Sequence, residues 1–194
     1  MVTYNVIVSN TTDEIKKKLR LSGISTSMKS LESSEWIVYE TENNELVGAA
    51  GIGGLFHSSS INVHEKFRGK GLGKKIQIEL VKEAKRKKFS FVTVFVDSRN
   101  ASSQKMHDEV GYKTIFRIHY SNEIIQDVKI IILKKRGIII EKFLKCFNTK
   151  IGIFFLGCSL KIFKNYFNSV IGYDEEKIPI PSIKHIVQNF EKIA

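Results

Sequence analysis

Residues 63–75, VHEKFRGKGLGKK, place three glycines among five Lys or Arg residues, between a candidate strand and a candidate helix. Glycine lets a backbone come close to a ligand with its N–H groups aimed at it, and a helix N-terminus adds partial positive charge. Converging N–H groups of this kind form a concave site for anions. The stretch therefore predicts a binding site for a phosphate or pyrophosphate at the start of a helix.

The spacing of the glycines separates this loop from two other phosphate-binding motifs. A Walker A loop requires a glycine five residues before Gly73, where the chain has Arg68, and a Ser or Thr at the position of Lys75. A dinucleotide fingerprint starting with Gly69 and Gly71 requires a glycine at position 74, which is a lysine. The pattern that remains is Arg-x-x-Gly-x-Gly, formed by Arg68, Gly71 and Gly73.

Strands and helices alternate on both sides of the loop. Apolar and β-branched patterns predict strands at residues 2–8, 35–40, 45–52, 59–63, 89–96, 112–120 and 127–135. Helical spacing predicts a helix opened by the capping box of Thr11 and Glu14, a helix at 70–88, and one at about 100–110 that Gly111 ends. This order predicts an α/β (α+β) fold with a mixed, mainly antiparallel sheet flanked by helices.

The glycine loop is one of two motifs that together resemble the GNAT N-acetyltransferase superfamily. In that superfamily the backbone amides of such a loop hold the pyrophosphate of coenzyme A. Residues 94–117, VFVDSRNASSQKMHDEVGYKTIFR, resemble its second signature: a strand, an Asn, a short helix and a Gly-aromatic pair, here Gly111 and Tyr112. Both motifs stand in the expected context, and the resemblance covers residues 1–133 as one acetyl-CoA-binding catalytic domain.

The resemblance implies how acetyl-CoA would be held as a cosubstrate, with no metal. Backbone N–H groups of the loop would bind the pyrophosphate, and main-chain groups of the preceding strand would bind the pantetheine arm and the acetyl carbonyl. An Asn would contact the pantetheine from the other side. The matching residues are Arg68, Gly69, Lys70, Gly71, Leu72, Gly73 and Lys74 in the loop, Ile61 and Val63 on the strand, and Asn100.

The catalytic positions match the superfamily less well. Its general acid is commonly a Tyr seven residues after the Asn, and this sequence has His107 there. Imidazole can donate a proton near neutral pH, so His107 is one candidate acid and water is the other. The strand before the loop carries no carboxylate. The candidates left to hold a water that deprotonates the amine are Asp97, His57, Asn62 and His64.

The composition indicates the cellular setting and the partners. Thirty-one Lys or Arg against twenty Asp or Glu give a net charge of +11, which favours an anionic partner or substrate. Cys146 and Cys158 form no CxxC pair, and the histidines are not clustered, so we expect a cytoplasmic protein without disulfides or structural zinc. No signal-peptide pattern is present, and the longest uncharged apolar run, residues 151–160, is too short to span a membrane.

Residues 134–194 form a basic, Phe- and Ile-rich extension that we expect to be mainly helical. Residues 138–147 and 158–171 have apolar side chains at helical spacing, residues 150–157 fit a helix or a buried strand, and Ser182 is a candidate N-cap for a last helix over 183–193. Such Phe and Lys residues could face a membrane. Packing on the sheet or homodimerisation is commoner, and we expect one of these.

Two classes of function fit these patterns. The first is an N-acetyltransferase in which a primary amine of a small molecule or peptide, by preference an anionic one, attacks the thioester of acetyl-CoA directly. A tRNA-directed aminoacyl acetyltransferase is a special case, disfavoured because the lysines are spread over several helices and no RNA-binding signature is present. The second class is a GNAT-fold protein that binds acyl-CoA without catalysis, since the expected Tyr and carboxylate are missing.

Overall fold

The computed structural model describes residues 5–22, 31, 34–42, 45–54, 56–162 and 180–193. The strands are β1 (Asn5–Asn10), β2 (Trp36–Glu42), β3 (Glu45–Gly53), β4 (Ser58–Val63), β5 (Phe91–Asp97), β6 (Lys113–His119) and β7 (Ile125–Ile132). The helices are α1 (Asp13–Leu21), α2 (Leu72–Arg86), α3 (Ala101–Val110), α4 (Gly137–Lys145), α5 (Lys150–Ile162) and α6 (Ile183–Gln188), with a 3₁₀ turn at Glu65–Phe67.

The strands form one seven-stranded sheet in the order β1-β2-β3-β4-β5-β7-β6. Every neighbouring pair is antiparallel except β4 and β5, which run parallel. The connection between the parallel strands runs through the glycine loop and α2, as parallel strands require a long crossover. The prediction of a mixed, mainly antiparallel sheet flanked by helices is confirmed.

The two parallel strands separate shortly after they meet. Ser58 pairs with Thr93 and Ser59 with Val94, and no further residues of β4 and β5 are paired. The sheet therefore opens into a wedge, with residues 60–63 of β4 on one side and the end of β5 on the other. Since the glycine loop follows β4 directly, it lies at the open end of this wedge.

One face of the sheet is covered by α2 and α3, and we call it the α2 face. Its core contains Ala50, Ile52, Ile76, Leu80, Val92, Val94, Val96 and Tyr112. The helix comes unusually close to β3 at Gly48. A Cβ there would lie 2.7 Å from Cδ1 of Ile76, so this position has no room for a side chain. The close packing fixes the start of α2 relative to the end of β4.

The opposite face, the α1 face, carries two groups of helices. Over the N-terminal strands, Ile15 and Leu19 of α1 pack against Ala49. Over β5, β6 and β7, the C-terminal helices contribute Leu144, Ile153 and Ile186 to a core with residues that include Phe91, Phe116, Val128 and Ile130. The C-terminal helices therefore share a hydrophobic core with the sheet.

The start of α1 differs from the sequence-based expectation, and the structure settles whether residues 150–157 are a helix or a strand. The N-cap of α1 is Thr12, whose side chain accepts from the N–H of Ile15 at 3.4 Å. The capping box of Thr11 was wrong, because the Thr11 N–H is bonded instead to the carbonyl of Glu35. Residues 150–157 are helical, and the 163–171 part of the segment predicted over 158–171 lies outside the described residues.

The last helix is shorter than its apolar pattern suggested. Ser182 is its N-cap, as predicted, and its hydroxyl accepts from the N–H of His185 at 3.1 Å. The helix ends at Gln188, where the side-chain amide of Asn189 donates to the carbonyl of His185. The N–H of Ile193 then bonds to the side chain of Asn148, which draws the chain back towards the α4–α5 turn.

Candidate active site

The glycine loop presents an open backbone at the start of α2. Gly69 and Gly71 both have φ near +75°, in the left-handed region that favours glycine. Nothing lies within 4 Å of the position where either would carry a Cβ. Gly71 is the N-cap of α2 and supplies no side chain to cap the helix. The N–H groups of the first turn therefore remain available to a ligand.

The charges around the loop favour an anion, although several of them are already engaged. The first turn of α2 has no acidic residue. Lys74 pairs with Glu109 at 2.7 Å, and the ammonium of Lys70 lies 5.2 Å from the centre of the Phe67 ring. The Nε of Arg68 donates to the carbonyl of Val63 at 3.2 Å. The loop thus combines unpaired main-chain donors with a basic surrounding, which suits a phosphate or pyrophosphate.

The register of β4 decides which way its main-chain groups point. The His64 N–H bonds to the carbonyl of Val47 on β3, and the β3–β4 register is unbroken. Successive residues of a strand point their N–H and C=O groups to opposite sides. Those of Ile61 and Val63 therefore point away from β3 and into the wedge. Among the described residues, the main-chain groups of Ile61 and Val63 have one partner, the Nε of Arg68, which donates to the carbonyl of Val63. The wedge is therefore lined by main-chain donors and acceptors where the sequence predicted them.

A buried polar cluster lies where the wedge begins. The side-chain amide of Gln77 donates to the hydroxyl of Tyr112 at 2.8 Å and lies 3.4 Å from the hydroxyl of Ser59. All three side chains are buried, and burial raises the pKa of Tyr112 well above its usual range. Tyr112 therefore stays protonated and acts as a structural hydrogen-bonding group behind the wedge.

His107 is buried beside this cluster, with 1% of its surface exposed. Its ring makes an edge contact with Tyr112, with the ring centres 5.4 Å apart. Nδ1 lies 2.8 Å from the carbonyl of Ser103, so Nδ1 carries a proton and donates it there. Nε2 is buried without a hydrogen-bond partner among the described residues.

Burial lowers the pKa of His107 from its ordinary value near 6.5, and the hydrogen bond to Ser103 opposes this only in part. The neutral ring, with a bare Nε2, is therefore the main form at neutral pH. To act as a general acid, His107 must first take up a proton at Nε2. A role of His107 as general acid therefore depends on protonation of Nε2.

Asn100 and Asp97 stand at the start of α3 and the end of β5. The side-chain oxygen of Asn100 caps α3 by accepting from the N–H of Ser103 at 3.0 Å, so its amide NH₂ group faces away from that bond. One carboxylate oxygen of Asp97 accepts from the N–H of Arg99 at 2.9 Å, which forms a tight turn. The alternation of β5 places the Asp97 side chain on the α1 face, exposed at the open end of the wedge.

The three other candidate bases lie in different surroundings. His57 stacks on Phe89 at 4.2 Å between ring centres, where β4 and β5 are still paired, and burial lowers its pKa. Asn62 lies on the α1 face, opposite Ala49. Nδ1 of His64 accepts from the N–H of Lys66 at 3.2 Å, so in the neutral ring Nε2 carries the proton. His64 is therefore arranged to donate a hydrogen bond from Nε2, whereas His57 is half-buried and stacks on Phe89.

A cleft of about 650 Å³ opens on the α1 face beside the loop. Its lining residues come from α1, β2, β3 and the turn after β4: Lys18, Leu21, Ser22, Tyr39, Thr41, Glu45, Leu46, His64, Lys66 and Phe67. Because its walls are far apart in the chain, no local motif marks it. The sequence identified only His64 among these residues and missed both the cleft and the buried cluster of Gln77, Tyr112 and Ser59 as parts of the site.

Comparison with known proteins agrees with this geometry. The family model of the acetyltransferase (GNAT) domain matches residues 10–129, more than half of the chain. Among curated proteins, none has a sequence that matches this one. Within the described part of the chain, no three His, Cys, Asp or Glu side chains come together as a group that could hold a metal ion.

Solved structures with the same fold include three that illustrate its range. A protein assigned as an acetyltransferase from Salmonella typhimurium, with its cofactor acetyl-CoA, has a TM-score of 0.54 at 17% identity, over 69% of this chain and 95% of its own. An IAA acetyltransferase from Bacillus cereus has a TM-score of 0.56 at 15% identity, over 68% and 100%. The ribosomal-protein-S18-alanine N-acetyltransferase from Escherichia coli has a TM-score of 0.55 at 16% identity, over 68% and 95%.

These likenesses in fold extend over nearly the whole of each solved chain and about two thirds of this one. The family match rests on the sequence itself and spans both the glycine loop and α3. This chain therefore belongs to the GNAT acetyltransferase family.

Proposed function

We propose that this protein transfers an acetyl group from acetyl-CoA to a primary amine of an anionic acceptor. The observation that carries the proposal is the continuity of the loop and the wedge. Unpaired N–H groups at the start of α2 lead directly to the main-chain groups of Ile61 and Val63. A ligand with a pyrophosphate at one end and amide groups along an extended arm would use both surfaces.

Each predicted contact has a structural basis. The backbone N–H groups of residues 69–74 bind the pyrophosphate, and the left-handed Gly69 and Gly71 keep the approach clear of side chains. The N–H of Arg68, which the sequence also predicted as a donor, is taken up by the carbonyl of Glu65 at 3.1 Å. Ile61 and Val63 bind the extended arm, and the free amide of Asn100 binds it from the side of α3. Acetyl-CoA supplies the acetyl group in activated form, as a thioester.

The base and the acid of the reaction lie on opposite faces of the sheet. Asp97 lies on the α1 face at the end of the wedge, and there it accepts, through a water, the proton that the attacking amine loses. His107 lies on the α2 face and, when protonated at Nε2, donates the proton that the departing thiolate gains. The amine therefore enters from the face opposite the one that holds the acid.

The cleft on the α1 face is where the acceptor binds. Lys18, Lys66 and the Nε2–H of His64 provide positive or donating groups there, and Glu45 is the one carboxylate among the cleft residues identified above. This balance favours an acceptor that carries a carboxylate or phosphate close to its amine. A peptide N-terminus with nearby acidic residues and an anionic amino sugar both meet this requirement.

The experiment is a panel of primary amines assayed for release of the CoA thiol from acetyl-CoA. The panel contains anionic, neutral and cationic small amines, peptides with acidic and basic N-termini, and aminoacyl-tRNA. We expect the highest kcat/KM among the anionic small amines or acidic peptides. Binding of acetyl-CoA without thiol release for any amine would favour the noncatalytic function. Turnover of aminoacyl-tRNA alone would favour the tRNA-directed enzyme.

A further inference from the structure

The C-terminal helices present a large apolar surface to solvent. On α4 it consists of Ile138, Ile139 and Phe143, and on α5 of Ile151, Phe154, Phe155 and Ile162. Five of these side chains are more than half exposed, with Ile139 at 69%, Phe143 at 52%, Ile151 at 72%, Phe155 at 59% and Ile162 at 73%. These seven residues are called the apolar C-terminal surface below. Clusters of exposed large apolar side chains are uncommon on monomeric soluble proteins and mark interaction sites where they form a patch.

The opposite sides of the same helices are firmly packed. Leu144 and Ile153 are buried in the core with the sheet. At Gly157 a Cβ would lie 2.4 Å from Cδ1 of Ile186, so α5 and α6 are in close contact. A surface helix normally has one apolar side and one polar side. Because α5 is apolar on both, its outward side requires a second apolar environment.

The outward residues of α5 form a regular stripe. Ile151, Phe154, Phe155 and Ile162 stand at spacings of three, four and eleven from the first, which places them on one side of a helix. The axes of α4 and α5 make an angle of 101°. Among the described residues no single helix is long and apolar enough to cross a membrane, and these two reach that length and hydropathy only when added together.

The segment that carries this surface is strongly basic. Residues 134–162 contain seven Lys or Arg residues and one acidic residue, Glu141. Glu141 is already paired with Lys145 at 2.7 Å. No ion pair with a carboxylate of the described residues is recorded for Arg136, Lys142 or Lys150. Among the described residues, the apolar surface therefore has neighbouring cations whose charge is not balanced by carboxylates.

These cations decide which occupant the surface suits. In a symmetric dimer formed across the surface, the same patch would face itself and bring two sets of cations together, and the described part of α4 and α5 supplies no unpaired carboxylate to balance them. An anionic lipid surface meets both requirements, since its headgroups attract the cations and its acyl region accepts Phe and Ile side chains. Charge complementarity thus favours a bilayer over a second copy.

We propose that α4 and α5 dock on an anionic membrane surface, with the apolar C-terminal surface inserted at the level of the headgroups. The helices stay packed on the sheet and lie on the bilayer without crossing it. The sequence-based expectation was packing on the sheet or homodimerisation; the inward side of the helices packs on the sheet, and the proposal adds a peripheral membrane contact for the outward side. The proposal is independent of the acceptor and of the catalytic residues, because α4 and α5 contribute nothing to the glycine loop or the cleft.

The test is sedimentation with vesicles of phosphatidylglycerol and phosphatidylcholine, compared with vesicles of phosphatidylcholine alone. We expect the protein to sediment with the anionic vesicles at low salt and to partition at least about tenfold less into the neutral ones. A variant with Ile139→Ser and Phe155→Ser should lose at least about tenfold in partitioning to the anionic vesicles. Val8→Ser, which changes a 38% exposed apolar residue on β1, is the control and should bind as the wild type does.

Three outcomes would overturn the proposal. The first is wild-type protein that stays in the supernatant with anionic vesicles at low salt. The second is binding that the double variant retains, which would assign it to general basic charge. The third is a stable dimer, seen by light scattering without lipid, that the double variant dissociates. The acetyl-CoA-induced shift in melting temperature is measured for every variant to show that each one is folded.

Discussion

The donor side and the acceptor side of the site are built in contrasting ways. On the proposed donor side, the main-chain N–H groups belong to one short segment, residues 69–74, and two left-handed glycines keep them accessible. On the acceptor side, the cleft collects side chains from α1, β2, β3 and the turn after β4. The donor side depends on backbone conformation, whereas the acceptor side depends on the charge and position of individual side chains.

The two sides should therefore tolerate different kinds of substitution. A substitution that alters backbone conformation should damage the donor side most, while lysine substitutions around the loop should matter less. On the acceptor side the reverse should hold, since single charges decide which molecule binds. The two sides can therefore be disabled separately, and the predictions below use that separation.

The largest effect should come from Gly71→Val. A β-branched residue at φ near +75° is a genuine outlier, so the loop should change conformation and its N–H groups should no longer converge. We expect the Kd for acetyl-CoA to rise at least about tenfold and the ligand-induced shift in melting temperature to disappear. The shift is measured by thermal denaturation with and without acetyl-CoA.

Gly54→Val is the matched control for this prediction. Gly54 has φ near 72° in the turn after β3, away from the loop, so the same substitution introduces the same backbone strain there. It should lower the melting temperature of the free protein and leave the acetyl-CoA shift intact. Equal loss of the shift in both variants would mean that strain in general, and not the loop, explains the effect.

The next largest effect should come from His107→Gln. If protonated His107 donates to the departing thiolate, the variant should lose about tenfold to a hundredfold in kcat, with KM for acetyl-CoA little changed. Because burial lowers the pKa of His107 below its ordinary 6.5, wild-type kcat should fall as the pH rises from 6 to 8. The fall should be absent in the variant. Equal kcat and parallel pH profiles for both proteins would assign the proton to water.

A smaller effect is expected on the acceptor side, from Lys18→Glu. This exposed residue lines the cleft, and its pairing with Glu14 at 3.1 Å contributes little to stability. We expect KM for an anionic amine to rise about threefold to tenfold at low salt and less at high salt, with acetyl-CoA binding unchanged. Lys17→Glu, on an exposed side of the same helix, is the matched control. The same rise in KM for both variants would rule out a local role for the cleft.

The smallest effect concerns stability in acid. Burial lowers the pKa of His57, His107 and His119, each from an ordinary value of 6.5. Below about pH 6.5 the unfolded chain therefore binds protons that the folded chain does not, so the free energy of unfolding should fall with pH. We expect a lower melting temperature at pH 5.5 than at pH 7.5, and a smaller difference in His107→Phe. An identical difference in that variant would show that His107 does not contribute.

The backbone around the glycine loop and α3 could be predicted from the sequence because its determinants are local. A helix over about 100–110 that ends at Gly111 follows from residue type and spacing, and the structure confirms it. The left-handed φ of Gly69 and Gly71 agrees with the conformational freedom that glycine provides there. The Thr11 capping box failed for a non-local reason, since a bond to Glu35 holds Thr11 outside the helix. The mixed sheet was predictable because the order of strands and helices restricts the topology.

The remaining features depend on contacts between distant segments. No local pattern shows that His107 is buried against Tyr112, or that Gln77 reaches Ser59 and Tyr112 across the start of the wedge. For α5, the sequence shows apolar residues all round but not which of them pack on the sheet. The role of His107 and Asp97 in catalysis stays a prediction, as do the acetyl-CoA contacts of the loop and Asn100.

The most direct test of the account is calorimetric titration of the wild-type protein and Gly71→Val with acetyl-CoA. The account predicts that wild type binds one acetyl-CoA per chain and that Gly71→Val binds at least about tenfold more weakly, while Gly54→Val binds as wild type does. Absence of binding by wild type at millimolar acetyl-CoA would contradict the central claim that the glycine loop and the wedge hold the acetyl donor.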